Sequence, residues 1–159
     1  MPRKTTKALV REAAPDRLYN SSAVSKLINR VMLDGKKQLA ERLVYNGMQK
    51  AADKLKVQNP MEVFEQAMKN IQPHLETRSR RVGGANYQIP FEVRGQRQQH
   101  LAVMWFTEAA RKRKGMSMED RIALELVDAY NSAGEAVKKK EDTHRMAEAN
   151  RAYAHFART

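Results

Sequence analysis

The chain reads as a mainly all-α protein: about six packed helices, with one antiparallel β-hairpin protruding between the third and the fourth. Three observations predict this. Apolar residues recur at three- and four-residue spacing through most of the sequence, as on a helix with one face turned to a core. Glycine, proline or short polar stretches interrupt that period at Gly35, Asn59-Pro60, Pro73, Gly115 and Asn131 to Gly134. Between Arg78 and Arg94, in "RSRRVGGANYQIPFEVR", the period changes from helical to two.

Residues 1 to 19 form a basic tail, in which Arg3, Lys4, Lys7, Arg11 and Arg17 outnumber Glu12 and Asp16. Residues 20 to 159 make a single helical domain. Ser21 or Ser22 caps a first helix with Val24, Leu27, Ile28 and Val31 on one face. Gly35 stops it. A second helix carries Leu39, Leu43, Val44, Gly47, Met48, Ala51 and Leu55 on a core stripe. Asn59-Pro60 starts a third, with proline in the first turn and Met61, Phe64, Ala67, Met68 and Ile71 inward.

The hairpin follows, at about residues 76 to 94. Tyr87, Ile89, Phe91 and Val93 alternate with Gln88, Pro90, Glu92 and Arg94, so one face packs on the bundle near its base. Gly83-Gly84 supplies the positive φ values of a tight turn. A two-residue turn sets Arg80 opposite Tyr87, and a three-residue turn sets Arg81 there. A fourth helix spans about Gln96 to Lys114, with Leu101, Met104, Trp105 and Ala109 inward. Ser117-Met-Glu-Asp120 opens a fifth with Ile122, Ala123, Leu126, Val127 and Tyr130. The last begins near Glu135 and places Met146, Ala149, Asn150 and Tyr153 on one face.

Charge narrows the function. Thirty Lys+Arg against eighteen Asp+Glu give a net charge of +12. Self-repulsion of that size opposes compaction, which points to a partner of opposite sign: nucleic acid first, an anionic membrane second. No run approaches the roughly 20 apolar residues of a membrane span, so a membrane partner is not expected. The opening segment lacks the apolar core of a secretory signal, and a cytoplasmic protein is expected. With no cysteine, disulfides and thiolate metal sites are excluded.

Catalysis is not expected either. His74, His100, His144 and His155 are scattered without ligand spacing, and no phosphate loop or nucleophile motif occurs. Neither cofactor nor metal is called for. The rival readings are a helix-turn-helix DNA regulator, which leaves the hairpin without a role, and an RNA-modifying enzyme, for which no cofactor motif is present.

The basic residues instead fall in patches. Arg111, Lys112, Arg113 and Lys114 close the fourth helix, and Lys36 and Lys37 lie between the first two. With the tail and the hairpin they make a discontinuous surface suited to RNA. Guanidinium forks match phosphate oxygens, and Tyr87 offers a stacking face to an unpaired base.

Four blocks carry a resemblance: "VSKLINRVMLDGKKQLAERLVYNGM" (Val24 to Met48), the hairpin segment, "WFTEAARKRKGMSMEDRIALELVDAY" (Trp105 to Tyr130) and "AVKKKEDTHRMAEANRAYAHF" (Ala136 to Phe156). In that order they resemble the family of bacterial small-subunit ribosomal protein seven. The resemblance implies a helical protein with a protruding hairpin that binds the 3′ major domain of 16S ribosomal RNA and nucleates assembly of the subunit head. It implies a place near exit-site transfer RNA and the messenger RNA path, beside the ninth and eleventh small-subunit proteins. On that pattern Arg3, Lys4, Lys36, Lys37, Arg78 and Arg94 face ribosomal RNA. The tip, Arg81, Val82, Gly83, Gly84, Ala85 and Asn86, approaches exit-site transfer RNA, as do Arg145 and Arg151 on the last helix.

Overall fold

The computed structural model describes residues 14–157. Arg3 and Lys4 lie outside the described residues. The order is α1 (Ser22–Val31), α2 (Lys37–Leu55), α3 (Pro60–Ile71), β1 (Leu75–Val82), β2 (Ala85–Glu92), α4 (Gln96–Lys112), α5 (Met118–Tyr130) and α6 (Gly134–Ala149), closed by a 3-10 helix, Arg151–Ala157. Side-chain caps start α3 and α5, whereas Ser21 precedes α1 without a cap hydrogen bond from its side chain. The Asn59 side chain accepts the Met61 N–H at 3.0 Å with Pro60 in the first turn. The Ser117 hydroxyl accepts the Asp120 N–H at 3.3 Å, satisfying one of the N–H groups that a helix start leaves unpaired.

The core forms around α5, which packs against α2, α3, α4 and α6. Ile122, Ala123 and Leu126 meet Val44 and Met48 of α2, Phe64 and Ile71 of α3, and Trp105 and Phe106 of α4 in one buried cluster. Gly47 sets the separation of α2 and α5. A side-chain carbon there would stand 2.7 Å from Ile122 Cγ2, well inside van der Waals contact. Only a residue without Cβ lets the two helices approach this closely.

The hairpin has the two-residue turn. Val82 pairs with Ala85 and Arg80 with Tyr87, and Gly83 and Gly84 both have positive φ, 56° and 88°. Alternation also holds, since Ile89 and Val93 are buried while Gln88 and Glu92 are exposed.

Several expectations need correction. Leu39, placed on the core stripe, is 42% exposed, because the buried stripe of α2 starts at the neighbouring Ala40 and runs through Val44, Gly47, Met48 and Ala51, leaving Leu39 to one side of it. The last helix stops at Ala149, and the face carrying Met146, Ala149 and Tyr153 is exposed. Small residues bury it instead, Ala136, Val137, Thr143 and Ala147. The tail does not run free up to residue 19. The buried Asp16 carboxylate accepts the N–H groups of Leu18, Tyr19 and Ser21 at 3.1, 2.9 and 2.8 Å, and the Tyr45 hydroxyl at 3.2 Å.

Nor does the hairpin stand alone. β1 touches α6, and β2 is covered by the 3-10 helix. Tyr87 meets Tyr153 and Phe156 at ring-centroid separations of 5.0 and 5.8 Å. Arg80 Nη1 donates to the Phe156 carbonyl at 2.9 Å. A two-stranded hairpin is only marginally stable by itself, and these contacts supply support that the strands lack. What protrudes is the tip, where Arg81, Gly83, Gly84, Ala85 and Asn86 are all exposed.

Candidate nucleic-acid interface

Between α1 and α2 the chain turns over Leu33 to Lys36, closed by the Lys36 N–H donating to the Leu33 carbonyl at 3.0 Å. Asp34 and Gly35 occupy its centre with φ of 53° and 73°, a left-handed pair that asparagine, aspartate and glycine tolerate best. The turn holds Lys36 and Lys37 exposed at the start of α2. Lys36 shares a cavity of about 420 Å³ with Arg111 from the end of α4 and Arg121 from the first turns of α5. Both guanidiniums are steadied by main-chain oxygens. Arg111 Nη2 donates to the Arg30 carbonyl at 3.1 Å, and Arg121 Nε to the Met116 carbonyl at 2.9 Å. Neither has an ion-pair carboxylate among the described residues.

The run Arg111 to Lys114 does not act as one patch. Arg111 faces the α1–α2 turn. Lys112 lines another cavity with Trp105, Glu108, Lys138, Lys139 and Asp142. Arg113 turns inward, where its Nη2 donates to Glu125 Oε2 at 2.7 Å and also to Asp128. Glu125 is fully buried, and its other oxygen accepts the Ala136 N–H at 3.2 Å. Burial works against the Arg113 charge, but the two carboxylates outweigh it and hold its pKa above the ordinary value. The Arg113 charge is thus largely met within the protein, joining α4, α5 and the start of α6. Lys114 is exposed in the following loop.

At the hairpin base, Glu76 is the organiser. Its buried carboxylate accepts Arg78 Nε at 2.7 Å and Arg97 Nη2 at 3.1 Å. Burial pushes this carboxyl up, yet the two guanidiniums together hold it below its ordinary value. Arg78 also lies over the Phe91 ring, 5.3 Å from its centroid. Arg94 pairs with Glu92 but remains 84% exposed, so water and salt screen that pair and leave its charge accessible. Beyond the base, Arg145 pairs with Asp142 at 2.5 Å and Arg151 with Glu148 at 3.4 Å, both on the exposed surface.

The sequence therefore located the basic segments but not their partners. It missed Arg121, whose single cation among acids and apolar residues carries no local signal. It also missed a groove between α1 and α4, where Lys26, Arg30 and His100 stand with Asn29, Gln96 and Gln99. Tyr87, expected to present an open ring, has neighbouring rings from the 3-10 helix against it. Among the described residues no group of acidic side chains and histidines could hold a metal ion, and no helix is long and apolar enough to cross a membrane.

Comparison with known proteins gives the family. Residues 2–151 match the model of the family described as ribosomal protein S7p/S5e. A small ribosomal subunit protein uS7 of Kosmotoga olearia is 57% identical over 150 residues, covering 94% of this chain and 96% of that one. The uS7 of Carboxydothermus hydrogenoformans is 56% identical over 146 residues, 92% of this chain and 93% of its own. That of Heliobacterium modesticaldum is 53% identical over 156 residues, 98% and 99% of the two chains. The chain belongs to the ribosomal protein S7p/S5e family, a family of ribosomal structural proteins rather than enzymes.

Proposed function

We propose that this protein is a structural component of the small ribosomal subunit, in the cytoplasm, and binds 16S ribosomal RNA directly. The observation that carries the reading is the cavity beside the α1–α2 turn, where Lys36, Arg111 and Arg121 converge from three parts of the chain. Its two guanidiniums are oriented by main-chain carbonyls and keep their charge for an external anion. Held on a rigid bundle, such cations bind phosphates without first having to be ordered. RNA would be recognised by shape and charge, with Lys36, Lys37, Arg78, Arg94, Arg111, Lys112 and Lys114 contributing, and Arg3 and Lys4 from the tail.

On this reading the protein grips several elements of the 3′ major domain and fixes their relative orientation, nucleating the subunit head. The hairpin tip, Arg81 to Asn86, lies near exit-site transfer RNA and the messenger RNA path, with Arg145 and Arg151 adjoining it. The ninth and eleventh small-subunit proteins are its neighbours.

The test is binding of the purified protein to a transcript of the 16S 3′ major domain at graded salt. With roughly 6–10 phosphates neutralised, affinity falls by about 10³–10⁵ between about 50 and 200 mM salt, on the scale set by duplex DNA. A flat salt response, or no binding at low salt, overturns the proposal. Deleting Val82 to Asn86 leaves the fold and transcript binding intact and weakens retention of transfer RNA in the exit site of reconstituted subunits.

A further inference from the structure

The cavity at the α1–α2 turn has a floor that electrostatics leaves unexplained. Leu33 is 65% exposed and Leu39 is 42% exposed, and both line it. Leu43 and Met118 continue the same apolar surface. Apolar exposure scattered over a surface needs no explanation, but here it is gathered inside a concavity whose rim is cationic. The turn that presents Leu33 is fixed by the positive φ of Asp34 and Gly35, so this exposure is built into the backbone. At about 420 Å³ the cavity is in the range of small-ligand pockets.

An apolar floor under a rim of backbone-anchored guanidiniums suits one kind of group: a flat aromatic ring attached to a phosphate. Polyanion alone would need no exposed leucines, and a purely apolar partner would gain nothing from Lys36, Arg111 and Arg121. Asp34, also on the rim, adds an acceptor for a ring amino group. We infer that the cavity receives one unpaired nucleobase of the bound RNA, laid on Leu33, Leu39 and Met118, with its flanking phosphates on Lys36, Arg111 and Arg121. The inference rests on the RNA-binding reading above and adds a nucleotide subsite to it. Part of the affinity then comes from desolvation of a ring face, which is insensitive to salt, beside the salt-sensitive phosphate contacts.

The two contributions separate experimentally. Leu33→Ser and Leu39→Ser change exposed side chains, and thermal melts check that each variant keeps its fold. Binding to the 3′ major domain transcript weakens by about tenfold for the double variant at every salt concentration, with the salt slope unchanged, as for loss of one stacked base. Lys36→Ala instead lowers the slope by about one. Footprinting with dimethyl sulfate and a carbodiimide shows one unpaired base shielded by the wild-type protein and exposed with the double variant. Unchanged affinity, or weakened binding with no base losing protection, overturns the inference while leaving the RNA-binding reading in place. Failure of the wild-type protein to bind the transcript overturns both.

Discussion

The α1–α2 turn and the hairpin base are both rich in basic residues, yet they use them differently. At the turn, Arg111 and Arg121 are held by carbonyl oxygens, which orient a guanidinium without cancelling its charge. At the hairpin base, Arg78 and Arg97 converge on Glu76, and Arg94 lies beside Glu92. Arg113, close in sequence to Arg111, is drawn still deeper onto Glu125 and Asp128. Formal charge therefore overstates what the hairpin base offers a polyanion and describes the turn more faithfully. One region leaves its guanidiniums uncompensated; the other commits Arg78 and Arg97 to Glu76 and keeps only Arg94 largely exposed.

The sharpest way to break this contrast is to exchange the roles of Arg111 and Arg113. Arg113→Ala leaves a buried carboxylate without its cation, so it destabilises the protein by about 3 kcal/mol in denaturant unfolding. Arg111→Ala leaves the unfolding midpoint nearly unchanged and lowers the slope of RNA affinity against salt by about one. Equal loss of stability from both substitutions would erase the distinction.

A smaller effect probes the hairpin from its other side. Tyr153→Ala removes one ring from Tyr87 and costs about 1 kcal/mol locally. Hydrogen exchange then accelerates at the hairpin amides while those of α2 and α5 hold their rates, and Tyr153→Phe restores protection. Uniform acceleration would mean that the 3-10 helix supports the whole bundle.

The smallest effect comes with pH. His144 Nε2 accepts the His74 N–H at 3.0 Å, joining α6 to the segment that leads into β1. Burial, with help from the Lys140 and His74 charges, holds the His144 pKa below 6.5. The unfolded chain therefore takes up a proton before the folded one does. This contact contributes fully above that value and its contribution declines as the pH falls below it. The protection factor of the His74 amide, its intrinsic base-catalysed exchange rate divided by the observed rate, accordingly falls as the pH drops below about 6.5, and His144→Gln flattens the dependence.

Much of the fold was legible because it rests on short-range rules. The stripe Val24, Leu27, Ile28, Val31 and the cap at Asn59-Pro60 specify helices wherever they occur. The hairpin was legible for a similar reason, since two glycines between alternating runs leave few turn geometries. Leu39 failed the same logic because two apolar residues adjoin there and the small one, Ala40, takes the core side of the helix while Leu39 is left outside it. On the last helix the face carrying Met146 and Ala149 is already exposed within α6, where small residues such as Ala136 and Ala147 take the core side, and the chain then passes into 3-10 geometry before Tyr153. The site was half legible. Lys36, Lys37 and the Arg111–Lys114 run announce a cationic surface, but Arg113 leaves it for Glu125, twelve residues away, and Arg121 joins it from α5. Such pairings are decided by tertiary contact.

Gly47 has a consequence beyond the helix pair it brings together. Ile122, the side chain against which it nests, directly follows Arg121, and Leu43 lies one helical turn before it on α2. The missing methyl group therefore acts as a gauge for the mouth of a cleft it does not line. Enlarging this glycine would wedge the cleft's walls apart and misplace its cations without touching any of them.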